Sequence, residues 1–349
     1  MNPIRIGILS FAHYHANFWS EAFQADERAS LVGIWDTDQA RGHEACLRYG
    51  THFHDDPGPL IDSVDAVAIC SETADHRPLI ERAAGCARHI LCEKPIATSL
   101  QDADAIAHAV GRSGVSFMQS FPKRLDPINQ ELRALVQSGS LGRIWLARIR
   151  HGHSHGRDAA FTAGWWADPE RSGGGTLIDE GIHATDFLRW LFGDPHSVYA
   201  AMSNATLGLR VDDSALAVFR WSSGLIGEVV TGWNMQAADE SVEIYGTEGT
   251  ALLSGVDLAS RSTRREGFLR VWREHDKTWR SSPTIPQFVL GKFHHQSARA
   301  FLDCLTSGEP PPSGLKEGRA ALAMIVAAYA SVQEGRTVRL AEVARSFPP

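Results

Sequence analysis

Lysine is scarce in this sequence: it supplies only five of 34 basic residues, so each one is worth locating. Cysteine is nearly as sparse. The five (Cys46, Cys70, Cys86, Cys92, Cys304) are odd in number, form no C-x-x-C pair and sit mostly inside apolar runs such as Ala66-Val67-Ala68-Ile69-Cys70. That pattern suits buried, reduced thiols better than a disulfide frame or a zinc knuckle. Excess positive charge is missing too. The formal net charge is -7, which leaves no basic field to collect a phosphate backbone, and nucleic acid is not an expected partner. No apolar run approaches the ~20 residues that cross a bilayer, so no membrane partner is expected. The run Ile4-Arg5-Ile6-Gly7-Ile8-Leu9 starts almost at once and leaves no room for a signal peptide, so the expected location is cytoplasmic.

The composition is otherwise that of a folded enzyme-sized chain: 349 residues, 43% apolar and 21% charged. The exception is histidine, whose 16 copies are about twice the usual complement. Up to Gln119, short apolar runs (Arg5–Leu9, Leu31–Trp35, Ala66–Cys70, His89–Cys92, Val115–Gln119) alternate with segments of helical period. Such alternation requires parallel strands and predicts an α/β fold, a doubly wound Rossmann sheet with its ligand site at the strands' carboxyl ends. Beyond it, a helix at Ile128–Ser138, a strand at Arg143–His151 and a helix at Ile178–Leu191 precede a succession of strands joined by hairpin turns. These predict an α+β domain with a large open antiparallel sheet. The expected division is residues 1–121 for dinucleotide binding and 122–349 for substrate binding and oligomerisation.

Where the first strand meets its helix, a dinucleotide fold carries G-x-G-x-x-G. Here the three positions are Ser10, Ala12 and His15, and none is glycine. Ala12 still permits close backbone approach, and the following helix N-terminus offers N–H groups to a pyrophosphate. The competing reading is an ordinary strand–turn–helix. Asp36, at the end of the second strand, is placed to accept from ribose hydroxyls and to repel a 2′-phosphate, which favours NAD over NADP. Asp38 suits a helix cap instead.

Ile90-Leu91-Cys92-Glu93-Lys94-Pro95 puts an ionisable pair directly after a buried parallel strand. A desolvated lysine there has a lowered pKa and can exchange a proton with a substrate oxygen. The proline after it fixes the turn and suits a cis bond. A second block, Gly173 to Asp186, holds Asp179 and His183 four residues apart, on one face of a helix, where a carboxylate can orient a basic imidazole. The glycines and Trp165-Trp166 suit close approach to a flat ligand.

These motifs resemble the Gfo/Idh/MocA oxidoreductases, which include inositol, sugar and polyol dehydrogenases. The resemblance runs end to end: Glu93-Lys94-Pro95, Ser71 to His76, Arg124-Leu125-Asp126-Pro127, Ser138 to Gly142, Trp166 to Asp186, Gly246-Thr247-Glu248-Gly249, and the closing Ala328 to Arg336. It implies a catalytic set of Lys94, Asp179 and His183. It implies cofactor contacts from Glu93, Ser71, Thr73 and His76, with an aromatic wall from Trp165 and Trp166 near the nicotinamide. The turn residues Ser10, Phe11, Ala12 and His13 and the acid Asp36 complete the expected cofactor site. His183 would take a hydroxyl proton, Lys94 would steady the alkoxide, and hydride would pass to NAD. The chain departs from the family at the fingerprint turn, where His13 is a candidate donor to the pyrophosphate.

His151, His153 and His155, spaced by two, fall on one face of a strand. No metal is expected from them, since no second ligand cluster is evident. His153 and His155, with Arg124, are candidate substrate contacts for a neutral sugar or polyol. Two further classes stay open: a lyase, epimerase or glycosidase using tightly held NAD transiently, and a cofactor-free binding protein on the same fold. The second domain's sheet has a face with no helix partner, which predicts a homodimer or homotetramer through it.

Overall fold

Short runs of Ile, Val, Leu and Ala bury well on both faces of a sheet, and the intervening helices return the chain so that each strand runs the same way. In the computed structural model, which describes all residues except 1, 238, 257, 259–263 and 345–349, six strands form the first sheet. They are β1 (Ile4–Leu9), β2 (Ala29–Trp35), β3 (His52–His54), β4 (Ala66–Ile69), β5 (His89–Cys92) and β6 (Phe117–Gln119). Their order is β3-β2-β1-β4-β5-β6, and every pair is parallel. From β1 the chain first builds outward through β2 and β3. It then returns to the other side of β1 for β4, β5 and β6. The reversal between β1 and β4 is the switch point where the strand ends leave a crevice.

Helices α1 (His15–Gln24), α2 (Gln39–Tyr49), α3 (Pro57–Ser63), α4 (His76–Gly85) and α5 (Leu100–Ser113) make the crossovers. Asp38, Asp56 and Ser99 cap α2, α3 and α5 by accepting a backbone N–H each, so Asp38 has the capping role its position suggests. β3 and α3 are absent from the sequence-based reading. β3 has three residues, too few for a period to show, and α3 begins Pro57-Gly58-Pro59, a composition that reads as a turn.

The chain divides into two compact units, residues 1–122 with 293–319, and residues 123–292 with 320–349. A boundary near 121 thus separates the first crossing, but helix Phe293–Ser307 returns to the first unit. There it lies beside α1, with Phe301 and Phe23 rings 6.5 Å apart.

The second unit carries a nine-stranded sheet: β7 (Ile144–Arg150), β8 (Ser197–Ser203), β9 (Ser214–Arg220), β10 (Ile226–Gly232), β11 (Glu240–Gly246), β12 (Gly249–Val256), β13 (Leu269–Arg273), β14 (Thr278–Ser281) and β15 (Val338–Arg339). The order is β14-β13-β12-β11-β7-β10-β9-β8-β15. All pairs are antiparallel except β7 with β10, so the sheet is mixed, which corrects the antiparallel expectation. The reason is the long connection between β7 and β8, which frees β7 from hairpin pairing and lets it enter the middle of the sheet. Ala147, Ile149, Ala217, Phe219, Val229 and Ile244 line its buried side, and Ile182, Phe187 and Leu188 of helix Gly181–Phe192 are buried with them.

Candidate functional site

The carboxyl edge of the first sheet begins at Ser10, whose φ of 74° lies in the left-handed region. A non-glycine residue there costs about 1 kcal/mol or more. This is the first fingerprint position, so the backbone takes the shape a glycine would supply. The Ser10 hydroxyl offsets part of the strain by accepting the Ala12 N–H at 3.1 Å. Other turn N–H groups are also engaged: Phe11 on Asp36 (2.6 Å), His13 on the Cys70 carbonyl (2.9 Å) and His15 on the His13 Nδ1 (3.2 Å). Asp36, 2% exposed, further accepts the Asp38 N–H at 2.9 Å and the Arg41 guanidinium at 2.9 and 2.5 Å. The expected ribose acceptor is therefore shared with a cation that the sequence reading did not single out.

Glu93 is the centre of this edge. Its Oε1 accepts from the Trp19 indole at 2.6 Å and the Ser120 hydroxyl at 3.1 Å, and lies 3.2 Å from the His15 Nδ1. Its Oε2 accepts the Lys94 N–H at 3.2 Å and stands 3.9 Å from the His13 Nε2. The His294 ring meets that of His15 edge-on at 4.5 Å. Burial drives His13 and His294 well below the usual imidazole range. Burial opposes the Glu93 charge as well, but the adjoining rings of His15 and His13 bring it well below the usual carboxylate range.

Lys94 is 2% exposed, and its peptide bond to Pro95 is cis. The His76 Nδ1 donates to the Pro95 carbonyl at 2.9 Å, tying the β4 turn to the β5 turn, and burial lowers its pKa. Ser71 donates its hydroxyl to the Glu72 carbonyl, and Thr73 opens the short 3-10 turn before α4. Lys94, Glu93, Ser71, Thr73, His76 and the Ser10–His13 turn thus share one edge of one sheet, as the sequence reading expects.

In the second unit the Asp179/His183 segment is two helices, Thr176–Asp179 and Gly181–Phe192, meeting at Glu180. A single helix face does not describe it. The glycines serve the protein's own packing: a Cβ on Gly175 would stand 1.9 Å from the Asp212 carbonyl oxygen. Asp212 accepts the N–H groups of Gly175 (2.9 Å) and Leu177 (2.8 Å) and the Tyr329 hydroxyl (2.9 Å), which fixes the start of the segment. The Asp179 carboxylate accepts from the Trp233 indole at 2.9 Å and lies 3.9 Å from the His153 Nε2.

β7 continues its pairing with β10 past Arg150, since the N–H groups of His151 and His153 donate to the carbonyls of Val230 and Gly232. Both rings consequently face the same way, and both reach Glu180: His151 Nε2 at 3.0 Å and His153 Nε2 at 3.4 Å. The other ring nitrogen of His151 sits 3.0 Å from Glu240, which also pairs with Lys123. Burial works against a charged His153, but Glu180 and Asp179 outweigh it and bring its pKa to about 9. The same pairing holds Glu180 well below the usual range against the effect of its burial. Burial lowers Lys123 to about 8, although Glu180 and Asp126 favour its charge.

His183 is half-buried, with its ring 5.3 Å from that of His151. His155 stacks against His153 at 4.3 Å, and burial with the His153 charge lowers its pKa. Trp165 and Trp166 stack on each other at 3.9 Å, and Phe161 covers Trp166. Arg124, an expected substrate contact, makes a buried two-point pair with Asp186 at 2.7 and 2.8 Å. The sequence reading missed Trp19 and His294 beside Glu93, and Glu180, Glu240 and Lys123 beside the histidines. Glu180 adjoins Asp179 in sequence and Lys123 is one of only five lysines, so both carried a usable signal.

A doubly wound sheet with ionisable groups at its carboxyl edge, joined to a mixed-sheet unit rich in buried histidine and carboxylate, defines a two-domain oxidoreductase. The chain belongs to the Gfo/Idh/MocA family. Residues 4–121 match its oxidoreductase domain with an NAD-binding Rossmann fold, and residues 129–252 match its C-terminal domain. It is 28% identical to a myo-inositol 2-dehydrogenase of Thermotoga maritima, covering 97% of this chain and 99% of that one. It is also 28% identical to a D-apiose dehydrogenase of Paraburkholderia graminis, covering 98% and 90%. The fold matches levoglucosan dehydrogenase in its complex with NADH and levoglucosan, at a TM-score of 0.86 and 22% identity over 97% and 99% of the chains. The protein is thus an enzyme of an NAD-binding dehydrogenase family. Among the described residues no helix is long and apolar enough to cross a membrane.

Proposed function

We propose that the protein oxidises a hydroxyl-bearing carbon of a sugar, cyclitol or polyol, with NAD as the hydride acceptor. The observation that carries this reading is Lys94, buried directly after β5 at the ligand edge of an NAD-binding domain. Its similarity to inositol and apiose dehydrogenases supports the substrate class.

Two features of the first unit fit the cofactor. Ser10 already holds the left-handed backbone of the fingerprint turn, and the His76 Nε2 is buried with no hydrogen-bond partner among the described residues. The turn Ser10–His13 would hold the pyrophosphate, and Asp36 the adenosine ribose. Ser71, Thr73, His76 and Glu93 would line the nicotinamide half, with Trp165 and Trp166 as its aromatic wall. Asp36 disfavours a 2′-phosphate, by a margin that its pairing with Arg41 narrows. Bound NAD+ supplies the two-electron acceptor.

The chain's own groups supply the proton chemistry. His183 takes the substrate hydroxyl proton, Lys94 steadies the developing alkoxide, and Asp179 supports the imidazole. His153 and His155 contribute hydrogen bonds to the substrate's other hydroxyls. Calorimetric titration of nucleotide-free protein with NAD+ and NADP+ tests the first half, with NAD+ expected to bind more tightly. NADH formation over a panel of cyclitols and sugars tests the second. No binding of either nucleotide would overturn the reading, whereas turnover without net NADH would identify transient redox by retained NAD. We propose further that two copies pair through the solvent-facing side of the second sheet, where Tyr199, Leu216 and Ile226 are 40–52% exposed. A monomer by light scattering would refute that pairing.

A further inference from the structure

Two of the histidines beside Glu93, His15 and His294, have no part in the proposed dehydrogenase chemistry, and the His13 ring has none in its proton transfers. A hydride-transfer site needs one base and one alkoxide partner, and the proposed function gives those roles to His183 and Lys94. Yet His13, His15 and His294 converge on Glu93 from three separate segments of the first unit: the turn after β1, the start of α1 and the start of helix Phe293–Ser307.

We infer that the first unit holds a divalent transition-metal ion, with His13, His15 and Glu93 as ligands and His294 packed beside them. One ligand atom from each of His13, His15 and Glu93 falls within a common span of 4.8 Å. His15 Nδ1 stands 3.2 Å from Glu93 Oε1, near the about 3.3 Å edge of a tetrahedral zinc site, and His13 Nε2 stands 3.9 Å from Glu93 Oε2. The side chains are 2%, 12% and 0% exposed, so water does not compete for them. The independent observation is His294. Its Nε2 is buried and has no hydrogen-bond partner among the described residues, while its ring packs edge-on against that of His15. A buried imidazole nitrogen without a partner is costly.

The donor set also selects the ion. Two imidazoles and one carboxylate suit Zn2+, Co2+ or Fe2+, and suit Mg2+ or Ca2+ poorly, since those prefer oxygen. The Trp19 indole and the Ser120 hydroxyl, both on Glu93 Oε1, supply the outer hydrogen bonds that orient such a carboxylate. The other described cluster of this kind, His153 with Asp179 and Glu180, has one imidazole to two carboxylates and is already bridged by His151.

The test uses the untagged full chain, stripped with a chelator and titrated with ZnCl2 and, separately, CoCl2. One equivalent of each per chain is expected, with visible cobalt bands, a measurement that needs no variant. His15→Gln and His13→Gln should each weaken zinc binding at least tenfold, while His153→Gln should leave it unchanged. Absence of saturable binding by the wild-type chain would overturn the inference. So would loss of metal in His153→Gln with retention in His15→Gln, which would place the ion in the second unit. NAD+ titration of the stripped protein reads the proposed function separately, so failure of one is distinguishable from failure of the other.

Discussion

Each unit has one cluster of imidazoles around a buried glutamate, and the two clusters carry opposite charge states. Around Glu93 three rings surround a single carboxylate, and burial keeps His13 and His294 well below the usual imidazole range. Around Glu180 two carboxylates face His153, which burial alone would neutralise but which their charge carries to about 9. The residue types are the same and both sites are buried. What differs is the ratio of acids to rings. One carboxylate does not offset the burial of His13 and His294, so these two rings stay neutral. Two carboxylates more than compensate one ring, so the second presents N–H donors. The first arrangement suits an ion that accepts electron pairs, and the second suits an oxygen-rich substrate or a fixed internal ion pair.

The most severe way to break the second cluster leaves its charges untouched. Gly175→Ala would drive a methyl into the Asp212 backbone and displace the helix carrying Asp179, and should destabilise the protein by about 3 kcal/mol or more. Chemical denaturation checks this, and a loss below 1 kcal/mol would mean the clamp yields easily.

Next in size is a pH effect. The His153 pKa is raised in the folded state from its ordinary 6.5 to about 9. Its stabilisation is therefore complete below 6.5 and lost as pH rises through about 9, amounting to about 3 kcal/mol at most. Lys123 acts oppositely: its lowered pKa makes its charged form a burden that lifts as pH rises above about 8. His151, His155, Glu180, Asp179 and Glu240 face the same network. The difference between wild type and His153→Gln isolates the His153 contribution, and it should shrink steadily between pH 6.5 and 9. A pH-independent difference would remove the charge assignment.

Glu180→Gln sharpens the comparison directly by bringing the second cluster's ratio closer to the first. With one acid gone, His153 should titrate near neutrality instead of at about 9, observable by its ring resonances in NMR.

The smallest effect lies at the turn holding His13. Ser10→Gly relieves left-handed strain of about 1 kcal/mol but surrenders the bond to Ala12, of similar worth, and should be nearly neutral. Ser10→Ala keeps the strain and loses the bond, so it should fall about 1 kcal/mol below the glycine variant. Equal melting temperatures for the two would refute the strained turn.

Much of the fold was legible because strand and helix periods are local. β1, β4, β5 and β7 lie within a residue of the runs read from the sequence, as does helix Pro127–Gln137. The parallel pairing of β7 with β10 was not, because pairing depends on the long connection after β7, which has no period. The first site was legible where chemistry sits on a strand end: Glu93, Lys94 and the turn after β1. His294 was not, because some 200 residues separate it from Glu93. Asp36 shows a different limit. Its position is as expected, but its pairing with Arg41, five residues on, follows from side-chain reach that spacing alone does not assign.

His151 and His153 are aimed by the backbone ladder that ties them to Val230 and Gly232. In such a ladder, direction is set by parity. One residue inserted or removed between Ile144 and His151 would turn both rings to the opposite face of the sheet, while the ring chemistry itself stayed intact. The second cluster should therefore tolerate changes of side chain along this stretch far better than changes of length. Sequences that keep the two histidines should also keep the number of residues leading up to them.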